Sequence, residues 1–169
     1  MADTTFDPDL GAGRLQFKCT EFKVVDPAAT PPHPGFGSQP NYVLDPQKPF
    51  DIELEWEGDG FFLPLWMNAM NSNWVIKAYA ETVGPGDDVA LVTNSLEPKA
   101  NYSGSYTDRK WKHTLSVPAG KLIEGNPGSL NSGIYKISVT IFLNSSIPGG
   151  YDISGFTQKS ITVRAEAPA

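Results

Sequence analysis

A chain of 169 residues can bury roughly 70% of the surface its unfolded form exposes, so its core needs no disulfide or metal to close it. Its 13 Lys and Arg are scattered among 19 Asp and Glu, giving a formal charge of -6, which disfavours nucleic acid and anionic membrane as partners and reads mainly as solubility. The single cysteine cannot pair internally, no stretch is apolar enough to span a membrane, and MADTTFDPDLGAG lacks the basic region and apolar run of a signal peptide, so the expected location is cytoplasmic.

In chain order, residues 1–13 read as a tail, 14–165 as one β-sandwich domain and 166–169 as a second tail. The first strand falls in 14–25, where Leu15, Phe17 and Cys19 share one parity and Phe22 and Val24 the other. A bulge at Thr20-Glu21 accounts for that switch. Cys19 then reads as a small buried hydrophobe rather than a reactive thiol. The stretch 26–48 is crowded with proline and glycine, which rules out a helix or a central strand and predicts a surface crossover or arm.

Residues 49–57 alternate Phe50, Ile52, Leu54 and Trp56 with Asp51, Glu53, Glu55 and Glu57, the pattern of a half-buried strand. Further strands are expected at 73–83, 88–93, within 106–117, at 133–143 and at 156–164. In 133–143, Tyr135, Ile137, Val139, Ile141 and Leu143 give one fully apolar face and predict a central strand. About seven strands at this spacing, separated by glycine and proline, predict an all-β, two-sheet sandwich rather than a barrel.

Between the strands at 49–57 and 73–83 lies FFLPLWMNAM, greasier than the strands it connects. Pro64 bars a regular strand, and Leu65 to Met70 can form a helical turn. The segment is read as a plug over the open end of the sandwich, an anchor buried by a partner, or both. Seven apolar residues exceed what one sandwich end covers, so part of it is expected to reach a partner.

Catalytic and metal motifs are missing from the sequence. His33 and His113 belong to no metal-ligand pattern, and no nucleophile elbow or phosphate-cradling loop occurs. His113 reads as a partly buried strand residue with a satisfied hydrogen bond. The outward carboxylates of 50–57 have a spacing permissive for glycoside hydrolysis, but any amphipathic strand shows it. Glu57-Gly58-Asp59-Gly60 and Gly84-Pro85-Gly86-Asp87-Asp88 carry oxygen ligands yet match no calcium loop, so no cofactor or metal is expected.

Gly133-Ile134-Tyr135, followed by the closing strand KSITVR, resembles the last two strands of immunoglobulin-like, fibronectin type III and polycystic-kidney-disease-type domains. The resemblance is one of fold and implies that Tyr135 ties a corner between strands and that Trp74 fills the place of a core tryptophan. The immunoglobulin cysteine pair is missing. WVIKAYAETVGPG also looks like small bacterial proteins of this architecture, and that likeness brings no activity with it.

The function expected from these residues is a non-enzymatic interaction or assembly module, self-associating or bound to a protein partner. It would use the 61–70 loop and an exposed sheet edge, with Phe61, Phe62, Leu65, Trp66, Met67, Tyr102 and Tyr106 as candidate binding residues. The alternatives are a small lectin-like domain stacking carbohydrate on Trp66, Trp74, Tyr102 or Tyr106, and a structural subunit of a phage or secretion-type particle.

Overall fold

The computed structural model describes residues 4–25, 43–125 and 132–163. These form an all-β sandwich of two sheets. One sheet runs β1 (Thr4–Asp7), β10 (Ile153–Val163), β9 (Ile134–Leu143), β5 (Asn73–Thr82), β6 (Val89–Pro98), with the two-residue β3 (Val43–Leu44) parallel to the end of β10. The other runs β2 (Gln16–Val25), β4 (Phe50–Asp59), β8 (Asp108–Val117), β7 (Ser103–Ser105). A short helix, α1 (Leu63–Asn68), carries the chain from β4 in one sheet to β5 in the other.

The expected strands are present, with the predicted bulge. Pairing of β2 with β4 shifts between Cys19 and Glu21, leaving Thr20 as the extra residue, and both halves of β2 keep apolar residues inward. In β9 the five residues of the expected apolar face are all buried.

Three elements differ from expectation. The tail foreseen at 1–13 contains β1, which pairs with β10 because Phe6 lies over Gly155, where a Cβ would come within 2.2 Å of the ring, and stacks on Phe17 at 6.0 Å. β6 is longer than 88–93 because a bulge at Thr93 and Asn94 breaks its alternation and a second inward stretch, Ser95 and Glu97, is polar. β7 is a three-residue strand, Ser-Gly-Ser, that forms a hairpin with β8 and that no apolar pattern marks. The arm is described only from Val43 onward; residues 26–42, including His33, lie outside the described residues, as do 164–169.

The core centres on Trp56, Trp74 and Trp111, one from each of β4, β5 and β8. Their ring centroids lie 5.1 to 6.2 Å apart, two contacts edge-on and one stacked. Trp74 is therefore a core tryptophan rather than a sugar platform, with no exposed surface. Aromatic contacts of this kind add about 0.5–1.5 kcal/mol each to the burial of the rings.

Candidate functional site

The apolar connection between the sheets is fixed at both ends by backbone hydrogen bonds. Gly60 has φ 120°, and a Cβ there would lie 2.4 Å from the Arg14 carbonyl oxygen, so only glycine permits the close approach. From that turn the amides of Gly60, Phe61 and Phe62 donate to the carbonyls of Thr107, Gly13 and Arg14 at 3.0, 3.1 and 2.9 Å. Pro64 follows in the first turn of α1, where its missing N–H costs nothing. At the far end the Lys99 ammonium donates to the carbonyls of Met67 and Met70 at 2.7 and 2.5 Å, and the Ser146 amide and hydroxyl donate to Ala69. Burial pushes the Lys99 ammonium below the usual lysine range. Open carbonyls at a helix end are thereby satisfied.

This anchoring divides the segment into an inner and an outer face. Leu63, Pro64, Met67 and Met70 are buried, Met67 with only 1% of its surface exposed. Met67, expected among the binding residues, instead belongs to the core because it sits on the inward side of the helical turn. Trp66 is half-buried against the core. Phe61, Leu65 and Phe62 face outward at 78%, 70% and 40% exposure, the two phenyl rings edge-on at 5.4 Å. Plug and exposed face coexist in one segment.

The strand registers place other loops at the same end. Asp59 at the end of β4 pairs with Gln16 and Asp108 at the starts of β2 and β8, while Leu143 at the end of β9 pairs with Ile153 at the start of β10. Met70 makes an isolated bridge with Ser145 in the β9–β10 loop. Exposed Tyr106, Ile147 and Tyr151 therefore belong to the same loop end as Phe61 and Leu65. Tyr106 and Tyr102 are joined by the buried Arg109, whose guanidinium lies 4.5 Å from the Tyr102 ring and 5.2 Å from the Tyr106 ring. Tyr102 is half-buried against Trp111, so it supports Tyr106 rather than offering a free face.

The acidic row of β4 is a charge lattice on the outer face of its sheet. Glu57 takes Lys18 at 2.6 Å and Lys110 at 3.3 Å from the strands on either side, and Glu55 takes Lys112 at 2.7 Å. The Lys112 hydrogen bond holds Glu55 below the usual carboxylate range; for Glu57 burial works the other way, and the two lysines outweigh it. These carboxyls are poor general acids, since an acid must hold its proton near neutral pH.

A second constellation was not foreseen. Ser95 and Glu97, two residues apart on β6, meet His113 of β8 across the seam between the sheets: Ser95 Oγ lies 2.8 Å from His113 Nε2, and His113 Nδ1 lies 2.8 Å from Glu97 Oε2. Asn101 Nδ2 donates to the other Glu97 oxygen at 2.6 Å. A carboxylate only accepts, so the Nδ1 proton faces Glu97, and in the neutral ring Nε2 accepts from the Ser95 hydroxyl. The expected satisfied hydrogen bond of His113 is present, in duplicate. Sequence reasoning missed the group because it ended this strand at residue 93, ahead of both partners.

Among the described residues no cluster of three or more His, Cys, Asp or Glu is placed to hold a metal ion, and no helix is long and apolar enough to cross a membrane. Comparison of the chain with protein-family models, curated proteins and solved structures found no match.

Proposed function

We propose that the chain is an immunoglobulin-like interaction module that docks a protein surface through the loop end of the sandwich. Two features support the finer fold reading. The orders β2-β4-β8 and β10-β9-β5-β6 have the three-plus-four arrangement of fibronectin type III domains, and the Tyr135 hydroxyl ties the approach to β9 to the Ile123 backbone. The observation that carries the functional reading is Phe61 and Leu65, exposed on a turn whose backbone is already fixed. Large apolar side chains held in place lose little conformational freedom when a partner covers them. Aromatic side chains bury about 150–250 Å² each, so Phe61, Phe62, Tyr106 and Tyr151, with Leu65 and Ile147, approach the ~800 Å² each partner contributes to a standard interface.

A second copy of the chain is one such surface, and repeated end-on contacts would make it a particle subunit. The carbohydrate reading is weaker, since Trp74 is buried and the Tyr102 ring is packed against Arg109 and Trp111. Light scattering over a wide concentration range tests self-association, and affinity capture with the wild type against a Phe61→Ser, Leu65→Ser double mutant tests a foreign partner. If the double mutant captures and associates as the wild type does, the loop end is not the docking surface.

A further inference from the structure

The Ser95–His113–Glu97 group has the atom connectivity of a nucleophilic triad: hydroxyl to imidazole Nε2, imidazole Nδ1 to carboxylate, both at 2.8 Å. Glu97 is buried and takes its second hydrogen bond from Asn101; the His113 side chain, at 13% exposure against 9% for Glu97, is nearly as enclosed, and Ser95 is half-buried. Ser95 directly follows the bulge at Thr93 and Asn94, on the edge strand of its sheet, and bulges of this kind re-aim the side chains beside them. We propose that Ser95, His113 and Glu97 form an acyl-transfer site, independent of the docking end, that acts on carboxylic esters presented along the β6 edge.

In the first step Ser95 Oγ attacks the ester carbonyl carbon, and its proton passes to His113 Nε2. Glu97 holds the ring by its Nδ1–H and balances the charge of the imidazolium. Collapse of the tetrahedral adduct breaks the bond to the alcohol oxygen, which leaves with the proton from Nε2, and Ser95 is left acylated. Water, deprotonated by Nε2, attacks the acyl carbon; Ser95 recovers its proton and the free acid departs. No outside oxidant, reductant or metal enters the balance. A strand edge contacts few parts of a substrate remote from the reacting bond, so little binding energy is on hand for strain, which favours an ester over the less reactive amide.

The test uses the full chain with a fluorophosphonate probe and peptide mass spectrometry, together with p-nitrophenyl acetate turnover. The expected result is selective labelling at Ser95 over exposed Ser105, abolished by Ser95→Ala. Glu97→Gln keeps an oxygen toward Asn101 but presents an amide to Nδ1, and is expected to slow acylation by roughly 10²–10⁴ with native melting behaviour, as loss of the correct tautomer does elsewhere. Labelling of Ser95 no faster than of Ser105, or a folded Glu97→Gln that acylates at the wild-type rate, overturns the proposal and leaves the group as a cross-tie between the sheets.

Discussion

The hydroxyl of Tyr135 faces both polar groups of Ile123: it donates to the Ile123 carbonyl and accepts from the Ile123 amide, each at 3.1 Å. The ring sits fully buried at the start of β9, so one side chain closes the core and fixes the segment that leads into the strand. Tyr135→Phe keeps the ring and leaves the backbone pair of Ile123 without this partner. It is expected to cost about 1–3 kcal/mol, or roughly 2–4 °C in melting temperature per kcal/mol. A calorimetric scan of the folded mutant checks this, and an unchanged transition would mean that water replaces the hydroxyl without loss.

Alternation made most of the sandwich legible. Where one face is buried and the other wet, as in β2, β4 and β9, the period of two is imposed on the residues themselves, and even the β2 bulge appears as a change of parity at Thr20. β1 was illegible because a single phenylalanine, Phe6, over a single glycine, Gly155, secures it. The second half of β6 was illegible because its inward residues are Ser95 and Glu97, which pattern reading assigns to solvent. Their partner, His113, lies 16 residues beyond Glu97 in the other sheet. The exposure of Leu65 against the burial of Met67 depends on the direction of one helical turn, which apolar composition alone does not set.

The β9 parity predicts an asymmetric pair of mutants. Val139 is fully buried between Ala78 of β5 and Thr157 of β10, so Val139→Asp places a charge without a partner in the core and should abolish folding. Lys136 is opposite Glu81, so Lys136→Glu sets like charges across the strands and should cost only about 0.2–1 kcal/mol. Circular dichroism of the two mutants reads the difference directly.

Acid should weaken the outer face of the β2-β4-β8 sheet. Glu55 and Glu57 are held below the usual carboxylate range in the folded chain, so their contribution is present above the unfolded carboxylate pKa and is lost as pH falls through the lowered folded value. The lysine partners are solvent-exposed, so solvent screening keeps each pair weak. Glu57→Gln is expected to flatten the melting-temperature curve between neutral pH and the acid limb. The same mutant in high salt should differ less from the wild type, because salt screens the pairs.

Cys19 is half-buried at the bulge, where its thiol donates to the Glu21 carbonyl at 3.2 Å. Burial pushes the thiol up to about 11, which leaves very little thiolate near neutral pH. A neutral thiol reagent should therefore modify native protein slowly and denatured protein at once, with native labelling accelerating as pH rises toward that value. Rapid native labelling at pH 7 would place Cys19 outside the core margin.

The segment that joins the sheets gives the sharpest separation of folding from association, because residues a few positions apart on one short connection face opposite ways. Met67, at 1% exposure, is expected to lose about 2–5 kcal/mol on truncation to Ala, since the cavity it leaves is enclosed by the fixed backbone. Phe61, at 78% exposure, contributes little to the isolated domain, so Phe61→Ser should melt within a degree or two of the wild type. Its loss should appear when a second surface covers the ring, as weaker self-association or weaker capture of a partner. Trp66, half-buried between these, should lose stability and leave association nearly unchanged on substitution by Ser. Paired melts and sizing of the three single mutants resolve the two ledgers. A large melting loss from Phe61→Ser with unchanged association would show that the outer face belongs to the fold after all and would remove the basis for docking at this end.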